Sequence, residues 1–363
     1  MKIKLTAIDF FCGAGGITCG LQQAGIKVLA GIDIDSNCKE TYEFNNRYKN
    51  YEKLQDEVGG PKYLQKDINE LSFQELGQLT GIRANDDNLV FIGCSPCQFW
   101  TQLHTTKNKS KHTKNLLSQF QKFVEYFKPG YVIIENVPGL EKRKKESKLD
   151  MFLKLLNNLE YDFKDQVLNV SKFGVPQSRK RYILIASRVE NVILPKVDEK
   201  EAKVKDFIGI RNGFPQLKAG NKDNSISQNV VSQLSKKNIK RLKKTPHDGG
   251  DRLSWADNDE LQIPAYKDKP NIFRNVYGRI FWDKPGPTIT TKFLHISNGR
   301  FAHPEENRGL SIREGATLQT FPKNYFFKGN SNTSIATQIG NAVPPELARR
   351  IGLKLLEINN GEV

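Results

Sequence analysis

Cysteine is scarce in this chain, acidic residues are outnumbered by basic ones, and no apolar stretch approaches membrane-spanning length. Each shortage excludes a class of protein. Five cysteines in 363 residues (Cys12, Cys19, Cys38, Cys94 and Cys97) are too thin for a disulfide framework. Cys94-x-x-Cys97 has no second Cys or His pair at ligand spacing, so no metal is expected. Cys12, Cys19, Cys38 and Cys94 are expected as small buried side chains without chemistry. No charged n-region followed by an apolar h-region opens the sequence, and the expectation is a reduced, cytoplasmic protein with no membrane partner. The acid shortage is large: 40 Asp and Glu against 56 Lys and Arg, a net charge of +16 and a pI near 9.5. Such a surplus favours a polyanionic partner, and nucleic acid is the better reading.

What the sequence has in quantity is alternation. Strand candidates at Leu5–Phe11, Lys27–Asp33, Tyr63–Asp67, Leu89–Gly93 and Tyr131–Val137 are interleaved with helical signals at Gly16–Ala24, Ser36–Asn46 and Leu116–Phe127. A helix at Lys148–Leu159 precedes closing strands at Phe163–Val170 and Tyr182–Ala186. The pattern predicts an α/β fold, a Rossmann-like, mostly parallel sheet with helices on both faces. After Ser187 the sequence turns lysine-rich with scattered Pro and Gly, which predicts a second, smaller domain. A helical signal is expected to return only at Pro345–Ile358. The expected division is 1–188, 189–335 and a C-terminal helix within 336–363 that returns to the first domain.

The turn Asp9-Phe-Phe-Cys-Gly-Ala-Gly-Gly16 joins the first strand to its helix. Its glycines let the backbone approach a ligand at a helix N-terminus. Asp33 and Asp35 end the next strand, where a carboxylate can accept from ribose hydroxyls, and Asp67 ends the one after. This reads as a nucleoside pocket. The spacing is not the dinucleotide fingerprint, and acidic Asp9 beside the loop would repel a pyrophosphate. A cofactor that carries a cation, such as S-adenosylmethionine, suits that charge better.

Two further strands end on chemistry. Leu89–Gly93 runs into Pro96-Cys97-Gln98, and Tyr131–Ile134 runs into Glu135-Asn136-Val137. A thiol and a carboxylate at the carboxyl edge of one sheet suggest a nucleophile with an acid partner. Carbon 5 of cytosine is a poor nucleophile, but adding a thiolate at carbon 6 makes it an enamine that can attack a methyl sulfonium. Glu135 would supply the proton or strong hydrogen bond at the ring nitrogen. Arg179 and Arg181 would offer cationic contacts to the ring carbonyl or phosphate and favour the Cys97 thiolate.

These segments, with Gln177-Ser-Arg-Lys-Arg181, Arg313-Glu314…Leu318-Gln-Thr-Phe-Pro322 and Gly340-Asn-Ala-Val-Pro-Pro345, resemble in order and spacing the signature motifs of the DNA (cytosine-5) methyltransferase family. The resemblance runs from residue 5 to about 355. It implies that Cys97 is the nucleophile, that Glu135 contacts ring nitrogen 3 and the exocyclic amine, and that Arg181 contacts the ring carbonyl while Arg179 orders the site. It also implies a cofactor pocket. Phe11 would pack on the adenine and Gly13, Gly15 and Gly16 line the methionine end. Asp33 would bind the ribose and Asp67 the adenine amine, with Ile34, Ile68 and Pro96 alongside. Asn341 and Val343 would close that pocket. Thr290, within Pro287-Thr-Ile-Thr290, would touch the DNA backbone. The sequence departs from the family at Gly93-Cys94-Ser95, at Phe99-Trp100-Thr101, and at Ile34, where an aromatic often covers the adenine.

Residues 99–115 are expected to form a loop closing over an extruded base, with Lys107 and Lys111 on DNA and Gln98 beside them. The basic run 236–244 is expected along phosphates through Lys236, Lys237 and Arg241. Arg252, Trp255, Arg274 and Arg279 are candidate base readers. The reading is therefore a sequence-specific methyltransferase of prokaryotic type acting on double-stranded DNA. It would be a monomer associated with the nucleoid, and a cognate restriction endonuclease could act separately. The alternatives are a tRNA cytosine-5 methyltransferase and a catalytically silent DNA-binding homologue.

Overall fold

The computed structural model describes residues 5–46, 60–95, 115–267, 269 and 272–362. They fall into two compact units. Met1–Asn169, Lys180–Val197 and Val343–Val363 make the first, and Val170–Arg179 with Asp198–Ala342 the second. Against the expected bounds at 188 and 335, the first unit extends to 197, while residues 170–179 and 336–342 belong to the second. Among the described residues no helix is long and apolar enough to cross a membrane.

The first unit is a seven-stranded sheet. Its strands are β1 (Thr6–Phe10), β2 (Lys27–Asp33), β3 (Lys62–Gln65), β4 (Leu89–Gly93), β5 (Tyr131–Asn136), β6 (Asp162–Asn169) and, after the short β7 (Gln177–Ser178) of the second unit, β8 (Lys180–Ser187). The spatial order is β3-β2-β1-β4-β5-β8-β6. The five strands from β3 to β5 run parallel, while β8 is antiparallel to both β5 and β6. The chain steps one way from β1 and the other way from β4. Right-handed crossovers then put the intervening helices on opposite faces and open a crevice at the carboxyl ends of β1 and β4. Every residue of β4 and β5 is buried, as expected for strands covered on both sides.

One face is covered by α3 (Phe73–Thr80) and α4 (Leu116–Phe127). Phe120 and Phe123 of α4 meet Phe10 at ring-centroid distances of 5.1 and 5.4 Å, and Phe10 meets Phe91 at 5.1 Å. Burying each such ring is worth about 1.5–3 kcal/mol. The C-terminal helix, Pro345–Asn359, packs against α1 (Gly16–Ala24). Their approach is close because position 20 is glycine. A Cβ there would lie 2.2 Å from the Pro345 carbonyl oxygen and 2.6 Å from Ala348 Cβ.

The second unit has little sheet and is organised by buried arginines. Arg279 is fully buried and donates to the carbonyls of Leu242, Thr245, His303 and Glu306. Arg313 does the same for Ser227 and Tyr325. Desolvation holds each guanidinium down, to about 10. The helical signal does not wait until residue 345. Lys236–Lys244, Ile312–Leu318 and Asn332–Asn341 are helices, each capped by a serine (Ser235, Ser311, Ser331) that accepts from a backbone amide.

Candidate active site

The carboxyl edge of the first unit's sheet carries a cavity of about 230 Å³ lined by Phe10, Phe11, Ile32, Asp33, Ile34, Lys66, Asp67, Ile68, Asn69 and Leu116. The turn after β1 contributes Phe11 to its lining and passes through left-handed backbone at Phe11, Gly13 and Gly15 (φ 62, 49 and 87°). Asp33 fixes that turn. Its Oδ2 accepts from the Gly13 amide at 2.8 Å and its Oδ1 from the Asp35 amide at 2.9 Å. Burial raises the Asp33 pKa, and these amides oppose the shift. Asp67 uses Oδ1 to hold the Asn69 amide and side chain, at 2.9 and 2.7 Å. Ile34 stands 65 % exposed at the mouth, whereas Ile68 is buried. Gly16 begins α1, with Gly15 as its N-cap.

Asp9 does not face this cavity, contrary to the charge argument made from its position. It is fully buried and its Oδ2 takes the Thr18 hydroxyl (2.7 Å) and amide (3.2 Å). Burial pushes its carboxyl up to about 7. The carboxylates that line the cavity are Asp33 and Asp67.

The second cluster lies at the ends of β4, β5 and β8. Glu135 is 2 % exposed. Because β8 runs antiparallel to β5, its start lies beside the end of β5 and places Arg181 Nε 2.9 Å from Glu135 Oε1. The pair has ion-pair distance without the alignment of a hydrogen bond, and Oε1 has no hydrogen-bond partner among the described residues. On the other side the Cys94 thiol donates to Oε2 at 2.9 Å. Cys94 is therefore not an inert filler: it contacts the candidate acid. Asn136 Nδ2 donates to the Ser95 carbonyl and hydroxyl at 3.2 and 3.1 Å, which ties the end of β5 to the segment leading to residue 97.

The remaining expected residues divide. Pro96, Cys97, Gln98, Lys107 and Lys111 lie outside the described residues. Arg179 is buried in the second unit and donates to the carbonyls of Ile289 (3.4 Å) and Ala342 (3.2 Å). Beside it Gln177 donates to the Leu318 carbonyl and Gln319 and accepts from the Ile289 amide. Asn341 ends its helix in the second unit, and Val343 is buried at the start of the returning segment of the first. Lys236, Lys237 and Thr290 are exposed.

Two of the residues expected on DNA are buried in the second unit. Arg241 is buried, donates to the Leu261 carbonyl at 2.8 Å and lies 5.2 Å from the ring centroids of both Trp255 and Tyr277. Arg252 is 1 % exposed and donates to the carbonyls of Lys269 and Ile272, each at 2.6 Å. Neither guanidinium can reach a phosphate without abandoning these carbonyls. Trp255 and Arg279, candidate base readers, are likewise buried. Among the described residues no group of three or more His, Cys, Asp or Glu is placed to hold a metal ion.

The model of the C-5 cytosine-specific DNA methylase family matches residues 5–357 of the chain. The Type II methylase M.HgiDII of Herpetosiphon aurantiacus is 34% identical over 362 residues, covering 98% of this chain and 96% of that protein. The Type II methyltransferase M1.BsuMI of Bacillus subtilis is 26% identical over 364 residues, covering 97% and 81%. In fold, the chain is similar to a structure described as a DNA modification methyltransferase encoded within a prophage of E. coli. The TM-score is 0.71 at 20% identity, covering 98% of this chain and all of the other.

Proposed function

The chain belongs to the C-5 cytosine-specific DNA methylases, and from that membership we propose how its residues divide the work of methylating carbon 5 of cytosine in DNA. The observation that carries the proposal is Glu135, buried at a strand end and gripped at both oxygens by Arg181 and Cys94. A carboxyl so confined can present one oxygen to a base edge with little loss of side-chain freedom.

The cytosine would leave the duplex stack to reach this edge. The Cys97 thiolate adds to carbon 6, and Glu135 answers the electron density that moves onto nitrogen 3 with a proton or a strong hydrogen bond. Carbon 5 then carries the enamine electron pair and takes the methyl group. Loss of the carbon 5 proton and β-elimination return the Cys97 thiolate. Arg181, which already faces Glu135, is the cation for the ring carbonyl. Arg179 acts at a distance, as a positioning residue that fixes the backbone at Ile289 and Ala342.

S-adenosylmethionine, when bound, supplies an electrophilic methyl group on a sulfonium. The cavity at the ends of β1, β2 and β3 suits its nucleoside: Phe11, Ile34 and Ile68 offer apolar surface, and Asp33 and Asp67 offer acceptors. Pro96 and Val343 are proposed to complete it. Lys236, Lys237 and Thr290, with Gln98, Lys107 and Lys111, are proposed to hold DNA. The Type II names of the relatives favour the modification arm of a restriction–modification pair.

The test is expression in a methylation-free host followed by base-resolution 5-methylcytosine sequencing. Marks confined to one short motif are expected, and a Cys97→Ser variant should leave none. An unmarked genome in cells making folded wild-type protein would overturn the reading.

A further inference from the structure

The second unit contains few arginines able to read a base. Arg241, Arg252, Arg279 and Arg313 are buried on carbonyls, and Arg308 on Glu306 and Glu314. Arg300 is partly buried and donates to the carbonyls of Gly249, Gly250 and Arg279. Two exposed arginines are left on this unit, Arg211 and Arg274. They differ in how they are presented.

Arg274 sits at an anchored and strained tip. Phe273 before it is 64 % exposed and has left-handed backbone (φ 49°), which an aromatic residue adopts at a cost. Ile272 beside it is 41 % exposed. From below, buried Arg252 clamps the Ile272 and Lys269 carbonyls and lies 5.0 Å from the Tyr266 ring centroid. Asp251 accepts from Arg274 Nε (3.2 Å) and Nη2 (2.9 Å) on one oxygen and is itself fixed by the Leu253 amide (3.0 Å). That leaves the Nη1 donors of a pre-oriented fork without a partner among the described residues. Phe273 packs against the Tyr266 ring, 5.7 Å between centroids, and keeps the rest of its surface in solvent. An exposed aromatic so braced on strained backbone, next to a buttressed guanidinium, suits a base edge better than a phosphate, which any flexible lysine can serve.

Accepting that the chain is a DNA cytosine methylase, we propose that Ile272–Arg274 is its base-reading tip. Arg274 reads a guanine of the target site end-on through O6 and N7, and Phe273 makes the apolar contact with the adjoining base step.

Wild type, Arg274→Ala, Arg274→Lys, Phe273→Ala and Arg211→Ala are expressed in parallel in a methylation-free host, and their 5-methylcytosine motifs compared. Arg274→Ala should lose its preference for one guanine position by roughly five- to 150-fold. Arg274→Lys should fail in the same way, because a lysine keeps the charge but not the fork. Phe273→Ala should mark fewer sites overall, and Arg211→Ala should keep the wild-type motif. Thermal melts of the purified variants separate misfolding from lost readout, and Arg274→Lys, an exposed change of like charge, keeps the test informative if Arg274→Ala unfolds. A wild-type motif from both Arg274 variants, or a changed motif from Arg211→Ala alone, overturns the assignment. An unmarked genome from wild type contradicts the methylase reading instead, and this assignment falls with it.

Discussion

Two side chains share the Glu135 carboxyl, the Cys94 thiol on Oε2 and the Arg181 guanidinium beside Oε1. Glu135→Gln keeps the shape and removes the acid, so single-turnover methyl transfer should slow by roughly 10²–10⁴-fold. Near wild-type turnover would remove Glu135 from the chemistry. Cys94→Ala should cost no more than about tenfold, because a thiol is a weak donor whose hydrogen bond is worth about 1 kcal/mol and Arg181 remains. A loss as large as that of Glu135→Gln would put the thiol in the reaction itself. His303 is buried in the second unit, accepts from the Glu305 and Glu306 amides at Nδ1, and is pushed down by burial to about 4. Burial alone would raise Glu314, but Arg308 overrules it and holds the carboxyl at about 2. Both folded values lie below the unfolded ones. Their stabilisation is therefore complete above about pH 6.5 and is lost as pH falls through 4 for His303 and then 2 for Glu314. Asp9, raised to about 7, has the opposite sign and is most favourable at low pH. In a Trp100→Phe background, which leaves Trp255 and Trp282 of the second unit as the reporters, the urea midpoint should fall between about pH 6.5 and 4. His303→Gln should flatten that limb, and a limb of unchanged steepness would contradict the assignment.

At the scale of elements, the helix pair of the first unit depends on a missing Cβ. Gly20→Ala drives a methyl into the Pro345 carbonyl and should lower stability by about 1–3 kcal/mol. An unchanged denaturation midpoint would mean that the two helices separate freely. The strands of this unit are legible in the sequence. β4 and β5, buried on both faces, read as unbroken apolar runs, and the helix at 116–127 read from its periodicity. The helices at 312–318 and 332–341 were not legible from periodicity. Every residue of the former is buried, Arg313 and Glu314 included, so it has no polar stripe. Its start was written locally all the same, as the Ser311-x-x-Glu314 capping box. The roles of the arginines were illegible for another reason. Sequence supplies a charge but not its burial, and the partners of Arg252 and Arg279 are carbonyls 17 to 37 residues away. The Cys94–Glu135 contact spans 41 residues and two strand ends, so only the folded sheet discloses it.

Across the whole molecule the excess of +16 should appear as salt-dependent binding. Lys236 and Lys237 are exposed on the helix Lys236–Lys244, whereas Arg241 is turned inward and Lys240 pairs with Glu260 at 2.6 Å. Replacing Lys236 and Lys237 by alanine should reduce the slope of log affinity against log salt by roughly two for a DNA duplex. An unchanged slope would place the phosphate contacts elsewhere. In the proposed mechanism a cytosine is held between Cys97 and Glu135 while it is methylated. A duplex carrying 5-fluorocytosine at the mapped target, incubated with enzyme and S-adenosylmethionine, tests this most directly, because fluorine at carbon 5 blocks the final elimination. The expected result is a complex that survives denaturation, maps to Cys97 by peptide mass, disappears in Cys97→Ser and forms more slowly in Glu135→Gln. An adduct that persists in Cys97→Ser, or none from an enzyme that methylates ordinary cytosine, would contradict it.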